Sequence, residues 1–558
     1  MKKIFAIAAW MTVMMPMAAQ ETYENAKIAQ EDLNGTARYV GMGGAMEALG
    51  ADISTMSSNP AGIGMFRRST VSLSASVVSQ TGVSNQVGGS KTNASFDQLG
   101  FVLARRMDKN SFLNIGFNYH KSRNFDMILS AADNLQNASL NKLTWAKGVN
   151  GLFYPQQNGA GDVEQYNADK TFAGYNYHPN FDTDPYITCN QLDDLLGYRL
   201  NYNQDYENGP YYWSADPAQN YQFNRAHKGW ISEFDFNISG NINNRIYLGL
   251  TVGLHDVHYK HYSEYAEGGL RHTYTDQNGN VVTGNPYSLT VADDREITGT
   301  GFEIKAGVIV RPIEASPFRV GLYASSPVFY TLRTKNYTYI TDGPNTFDSQ
   351  EVVDAKNGRC NYKFKLYTPW KFGVSLGHTI GQNIALGMTY EYADYGSMDS
   401  RNITEGYYDY DYDYDSSSSD KAMNQHTERT LKGVHTLKIG GEYKPTKNLS
   451  LRMGYNYVSP MYNKDGYKDG TLNSYGSYVA SATDYTNWED THRFTLGAGY
   501  TYQKFNIALA YQYSMTNGRF YPFMSYEDSH DAAFDNIADG VKVSNKRNQL
   551  ILTLGYTF

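Results

Sequence analysis

The sequence predicts an all-β protein, a 14-stranded antiparallel transmembrane β-barrel with an amino-terminal plug in its lumen. Three observations carry that prediction. Segments of strict two-residue alternation recur through the chain, the connections between them alternate short and long, and the last segment runs to the final residue. In the closing stretch NQLILTLGYTF, Leu550, Leu552, Leu554, Tyr556 and Phe558 share one face. Ile551, Thr553, Gly555 and Thr557 share the other, so a chain of mean hydropathy −0.55 ends on an apolar stripe.

The same alternation is found in SFLNIGFNYH, RIYLGLTVGLH, HRFTLGAGYTY and KFNIALAYQYS. Fourteen such segments are read, near 68–79, 95–106, 111–122, 228–242, 245–260, 294–311, 317–330, 361–380, 383–395, 430–444, 448–459, 490–503, 505–515 and 545–558. Each is as long as the roughly 9 to 11 tilted residues that cross a bilayer. The short connections are RMDKNS, NINNR, RPIEASP, HTIGQN, YKPTKN and TYQKF; the long ones include 123–227, 261–293 and 396–429. Long loops all at one end distinguish an outer-membrane barrel from a soluble sandwich. Tyr119, Trp230, Tyr259, Trp370, Tyr390, Tyr392, Tyr455, Tyr457, Tyr500 and Tyr502 are expected in aromatic girdles at the lipid interfaces.

The bulk composition agrees. The 558 residues hold 49 Tyr and 51 Gly but only 16 Pro, and the net charge is −8. An acidic chain without a basic face excludes nucleic acid as a partner. Residues 1–19, MKKIFAIAAWMTVMMPMAA, have two lysines, an apolar run and small residues before Gln20, the pattern of a secretory signal peptide. The apolar run, about 15 residues, is short of the roughly 20 that span a membrane. Cys189 and Cys360 belong to no metal-ligating spacing; they form one disulfide or stay free. No metal, cofactor or catalytic constellation is expected, and the chain reads as a non-enzyme.

Residues 20–67 lack alternation and are rich in glycine and apolar residues, which suggests an inward-folded plug; the barrel then occupies 68–558. Inward positions of the strands carry many glycines, among them Gly249, Gly307, Gly387, Gly440, Gly454 and Gly497. Such glycines either admit another backbone or relieve the curvature of the sheet. The inward charges are of mixed sign: Glu233, Asp235, Glu303, Lys305, Arg319, Lys371, Glu391, Lys438, Glu442 and Arg452. That pattern suits a salt-bridged interior better than the single-sign ring of an ion-selective pore.

The stretch GTARYVGMGGAMEALGADISTMSSNPAGI resembles the amino-terminal hatch of the FadL/TodX family of outer-membrane transporters. Gly43, Gly44 and Ala45 lead there into Asn59, Pro60, Ala61 and Gly62. VGLYASSPV, ALGMTYEYADYGSM, LKIGGEYKPTKNLSLRMGYNYVSP and FTLGAGYTY resemble its later strands. The resemblance implies a bacterial outer-membrane location and uptake of hydrophobic small molecules such as long-chain fatty acids. Ligand would be caught among external loops and released past the hatch. It further implies outer-membrane lipid and the assembly machinery as partners, with Tyr556 and Phe558 as the assembly signal. It implies an opening at a kink in the third strand, where Gly116 is the candidate. Lys305, Arg319 and Arg452 are candidate ligand-binding cations by position only. The 123–227 loop is longer than the resemblance leads one to expect, and it holds two helical-looking pieces, 127–143 and 189–200.

Two other readings stay open. HDVHYKHY brings His255, His258 and His261 together with tyrosines, which suits a haem-binding receptor. A barrel enzyme, protease or lipase, is a third. The alternating Tyr/Asp stretch at 407–420 offers carboxylates for Ca²⁺ or is a solvated hairpin with a floppy serine tip. GMGGAMEALG follows no strand and is not a phosphate loop.

Overall fold

The computed structural model describes residues 21–84, 86–143, 217–275, 281–342, 345–348, 361–404, 416–469, 482–525 and 535–558. The signal-peptide reading, Cys189, Cys360, the 189–200 piece and the Tyr/Asp stretch up to Asp415 lie outside these residues. The strands are β1 (Thr70–Thr81), β2 (Thr92–Asp108), β3 (Ser111–Asn124), β4 (Met127–Ala138), β5 (Ala218–Ile242), β6 (Ile246–Thr275) and β7 (Val281–Val310). Next come β8 (Arg319–Ser325), β9 (Phe329–Asp342), β10 (Asn345–Asp348), β11 (Asn361–Tyr367), β12 (Lys371–Ile380), β13 (Ile384–Asp394), β14 (Asp399–Thr404) and β15 (Ser416–Ser419). The last are β16 (Gly433–Tyr443), β17 (Leu449–Val458), β18 (Tyr485–Tyr502), β19 (Phe505–Tyr521) and β20 (Val541–Thr557). They form one sheet, antiparallel throughout, that closes into a 14-strand barrel.

Four barrel strands are each made of two consecutive pieces. β3 and β4 both pair with β5; β13 and β14 pair with β12 and β11; β8 and β9 both pair with β7; β11 and β12 pair with β9 and β8 in turn. The last two interruptions fall at Pro327 and Pro369, which cannot donate to a ladder. β20 pairs with β19 on one side and β1 on the other, and Phe558 N donates to Ser69 O at 3.0 Å. The closing stripe is thus the seam of the barrel.

The period-two pattern sorts the membrane-facing stretches of the strands. Leu550, Leu552 and Leu554 are exposed while Ile551 is fully buried, and on β6 Ile246, Leu248, Leu250, Val252 and Leu254 all point outward. A continuous band of exposed Leu, Ile, Val and Phe around a closed barrel fits lipid, not water. No described helix is long and apolar enough to cross a membrane. Trp230, Trp370, Tyr390, Tyr500 and Tyr502 are exposed along the band's borders. Tyr259, expected in the girdle, instead turns inward and is 1% exposed, because it shares a face with His255 and His261 rather than with His258. The short connections are tight turns, as between β5 and β6, where Asn243 and Asn244 have φ of 52° and 53°.

Several strands outrun their expected ends. β6 and β7 pair up to Thr275 and Val281, within what reads as a loop from sequence. Above the lipid their outward face becomes polar, so the alternation loses amplitude while the ladder continues. The helical-looking piece 127–143 is β4 over most of its length, pairing from Met127↔His227 to Ala138↔Ala218; the edge offered by β5 outweighs local helix preference. The serines 416–419 form β15 against Arg401–Thr404 rather than a floppy tip.

Residues 21–66 lie inside the barrel. They comprise helix α1 (Thr22–Ala29), helix α2 (Ala37–Gly41) and 3₁₀ turns at Ile53–Ser57 and Pro60–Met65. Their backbone runs against the inward glycines: Met42 against Gly440, Gly43 against Gly454, Ala45 against Gly387 and Pro60 against Gly249. A Cβ on any of these four wall glycines would collide with backbone, so they serve close approach and not curvature alone. Asn59 starts the Pro60 turn, its Oδ1 accepting from Ala61 N at 3.2 Å and its Nδ2 donating to Glu47 O at 3.0 Å. Glu47, fully buried, accepts from Lys438 at 2.9 Å and Thr389 at 2.6 Å. The mixed inward charges are therefore largely paired with one another or with this segment.

Substituting Gly440→Ala should destabilise the barrel by roughly 1–3 kcal/mol through overpacking on Met42. Gly555→Ala, whose Cβ would meet nothing closer than 3.6 Å, should be near neutral. Heat-dependent gel mobility of the two purified variants measures the difference.

Candidate functional site

A cavity of about 250 Å³ lies inside the barrel on the long-loop side of the inner segment. Helix α1 and residues 30–34 form one side; β3, β18 and β20 supply the facing wall. Its apolar lining comes from Leu33, Val458, Met461, Tyr462 and Tyr485. The amino end of α1 is fixed by helix α3 (Lys421–Thr430), where Thr22 Oγ1 contacts His426 Nδ1 at 2.8 Å.

Three arginines from distant parts of the chain meet at this cavity: Arg123, Arg493 and Arg547. The carboxylate among them is Asp32, from the inner segment. Arg123 Nη1 is 3.0 Å from Asp32 Oδ1, Arg547 Nη1 is 3.7 Å from Oδ2, and Asn124 N donates to Oδ2 at 2.9 Å. Arg493 has no carboxylate within 4.0 Å among the described residues; its Nη1 donates to Asn456 Oδ1 at 2.8 Å. Burial opposes ionisation of Asp32, but Arg123, Arg547 and Arg493 outweigh it and hold the carboxyl below its usual range. One carboxylate facing three guanidiniums leaves this corner of the cavity cationic, while elsewhere the lining sets Glu24, Glu31, Glu391, Asp484 and Glu489 against Lys27, Arg225, Lys371 and Lys438. The cationic corner suits an anionic head group beside an apolar wall.

The wall beside this cavity is broken. The β2–β3 ladder ends at Gln98↔His120, although β2 continues back to Thr92 and β3 on to Asn124. Both strands carry an extra residue at this level, Asp97 on β2 and Ser122 on β3. The inner segment takes the place of the missing ladder. Asp32 N donates to Ser122 O at 2.8 Å, and Asn34 Nδ2 contacts Lys121 O at 3.0 Å and Asp97 Oδ1 at 3.1 Å. Lys121 Nζ reaches Ser95 Oγ at 2.7 Å across the gap. Phe96 and Tyr119 stack over its outer side at 5.5 Å. A separate small void of about 30 Å³, lined among others by Asp32, Asn34, Asp97, Arg493 and Arg547, lies between cavity and break.

The residues singled out from sequence are placed as follows. Gly43, Gly44, Asn59, Pro60, Ala61 and Gly62 all belong to the buried inner segment. Gly116 is not a kink: it pairs with Val102 and Asn237 in unbroken ladders, and Met56 packs on it. The break comes six residues later, at Ser122. Lys305, Arg319 and Arg452 do not line the cavity. Lys305 is held by Glu233 and Glu303, Arg319 Nη1 donates to Leu49 O at 3.0 Å, and Arg452 Nε pairs with Glu442 at 2.7 Å. They sit at the level of the inner segment, below the open lumen. His255, His258 and His261 do not converge: His258 faces outward beside Asp256, while His255 and His261 turn inward to Glu303 and Asp293. Tyr556 and Phe558 lie at the seam, ring to ring at 5.0 Å. Arg493 and Arg547 were discoverable as inward-facing arginines by the same alternation that selects Lys305. What sequence lacks is their depth relative to the inner segment.

Asp32 makes a pH-dependent contribution with a defined sign. Because its folded pKa is lowered, the stabilisation is present above its ordinary value of about 3.9 and is lost as pH falls through the folded value. The stability difference between the parent and Asp32→Asn should be full at neutral pH and should close in strong acid. Thermal unfolding at graded pH measures it.

No protein-family model matches the chain, and no curated protein matches it by sequence. Solved structures do. A FadL homologue from Pseudomonas aeruginosa aligns over 95% of this chain and 99% of its own, at 11% identity and a TM-score of 0.46. The toluene transporter TbuX of Ralstonia pickettii aligns over 94% and 99%, at 11% identity and 0.46. The toluene transporter TodX of P. putida aligns over 94% and 99%, at 12% and 0.44. By its own closed wall and lipid-facing band the chain is a transmembrane β-barrel, and its fold is similar over nearly its whole length to these FadL-type outer-membrane proteins.

Proposed function

We propose that this barrel takes up hydrophobic compounds that carry a negative head group, with long-chain fatty acids as the model class. The observation that carries the reading is the arginine cluster beside an apolar wall, in a cavity that abuts the break between β2 and β3. The apolar part of the ligand rests against Val458, Met461, Tyr462 and Tyr485. Its carboxylate replaces Asp32 as the partner of Arg123 and Arg547 and adds Arg493, which has no carboxylate of its own. Because Asp32 N and Asn34 also hold the strand edges at the break, displacing Asp32 loosens the segment that closes the wall. Head-group binding is thereby coupled to an exit sideways into the membrane. The cavity, at about 250 Å³, lies just below the usual ligand-pocket range of about 300–1,000 Å³ and holds one such ligand at a time at most.

Arg493→Ala tests the binding half, because this arginine has no carboxylate partner whose charge the substitution would strand. Affinity for a fatty acid should fall about tenfold, ~1.4 kcal/mol, while affinity for the matching alcohol changes little. Equal effects on the two ligands, read by fluorescence displacement, would remove the head-group assignment. The exit is tested by joining β2 to β3 with a bismaleimide across Ser95→Cys and Lys121→Cys, in a chain with Cys189 and Cys360 replaced by serine. Uptake by cells should stop on cross-linking while binding persists; undiminished uptake would place the exit elsewhere.

A further inference from the structure

A second polar cluster lies on the inner wall, and the ligand reading above does not use it. His120 on β3, Glu233 and Asp235 on β5, His255 on β6, and Glu303 and Lys305 on β7 are all buried. The register explains the convergence. His120 pairs with Glu233 and Glu233 with His255, so the three form one row across three strands. Asp235 and Glu303 flank Gly253 in the next row. Gly253 has no side chain, and the three carboxylates lean into the space: its Cβ would stand 3.2 Å from Glu303, 3.3 Å from Glu233 and 3.4 Å from Asp235.

Lys305 satisfies one side of this group. Its ammonium contacts Glu233 Oε1, Glu303 Oε1 at 2.8 Å and Asp235 Oδ1 at 3.7 Å. The other carboxylate oxygens turn toward His120: Glu233 Oε2 is 3.4 Å from Nε2 and Asp235 Oδ2 is 3.6 Å from Nδ1. Asp235 is fully buried, yet neither of its oxygens has a hydrogen-bond partner among the described residues. Three carboxylates against one ammonium leave negative charge unmatched in a dry place, which is costly unless a cation or protons join it.

We propose that His120, Glu233 and Asp235 bind one divalent transition-metal cation, which enters from the lumenal cavity that His120 lines. One imidazole and two carboxylates suit zinc, cobalt or nickel better than calcium, which takes six or more oxygens. Donors bound at about 2.1 Å in tetrahedral array stand roughly 3.4 Å apart. Here each carboxylate lies near that distance from a different ring nitrogen of His120, and one ligand atom from each of the three residues falls within 4.8 Å of the others. One ring nitrogen of His120 serves as ligand, and a small turn of the ring brings it between the two carboxylates. The neighbouring triad of Glu233, His255 and Glu303 is already occupied by the Lys305 ammonium. The remaining position faces the cavity and is open to water or to a ligand group. A metal here would tie β3 to β5 just below the point where β3 leaves β2, so occupancy would stiffen the wall at the break.

The test uses untagged, folded full-length protein stripped with chelator and dialysed against Co²⁺. Bound cobalt is counted by elemental analysis, and its visible absorption reports nitrogen and oxygen ligation. The expected result is one Co²⁺ per chain, displaced by Zn²⁺, with affinity lowered at least tenfold in both Asp235→Asn and His120→Gln. Heat-shifted gel mobility confirms that each variant is folded, and either variant alone suffices if the other does not fold. Absence of stoichiometric Co²⁺ on the folded parent overturns the proposal, as does unchanged binding in a folded variant. The first result would mean that protons, not a metal, neutralise the cluster.

Discussion

Every backbone amide that faces lipid must find its partner within the protein. That constraint shapes the whole molecule. It requires the sheet to close, and the seam between β20 and β1, running to Phe558, is where it closes. It also makes any interruption of a ladder costly. At the paired interruptions around Pro327 and Pro369 the loose groups are retied locally, with Val328 N donating to Thr368 Oγ1 at 2.8 Å and Thr368 N to Val328 O at 3.2 Å. At the break between β2 and β3 they are not retied by the wall. There the inner segment supplies Asp32 N and the Asn34 side chain.

This difference connects stability to function. Elsewhere the inner segment is held by backbone packed on bare glycine and by buried ion pairs such as Glu47–Lys438, contacts that have no reason to yield. Between residues 30 and 34 it is held by polar contacts that a ligand's own head group can replace. The same Asp32 that pairs with Arg123 and Arg547 donates its backbone N–H to the exposed edge of β3. In the uptake route proposed above, ligand recognition and wall integrity share one residue, and no long-range relay is needed to couple them.

The buried cluster around Lys305 shows why position along a strand is a weak guide to role. Lys305 and Arg493 are both inward-facing cations on barrel strands. Lys305 is enclosed by three carboxylates, Glu303 from its own strand and Glu233 and Asp235 from β5, whereas Arg493 stands above the inner segment with open volume beside it. Haem ligation fails on the same kind of distinction. His255, His258 and His261 are close in sequence, but on a strand the odd and even positions face opposite ways, so His258 is divided from the other two.

The sequence by itself determined the class of the protein. Alternation over the bilayer-crossing lengths, tight turns at one end, and an apolar stripe on the final strand follow from physics local to each segment, and local patterns are what a sequence records. The inward glycines were legible too, though not what they accommodate. Only the tertiary structure decided the rest. That β4 is a strand depends on the edge offered by β5, some ninety residues on. That the third strand parts from its neighbour at Ser122 and not at Gly116 depends on bulges in two strands at once. The arginine cavity draws on β3, β18 and β20 and on a segment before the barrel begins. Such sites are set by register and depth, which arise from closing the sheet around its own amino-terminal segment, and no window of sequence contains that information.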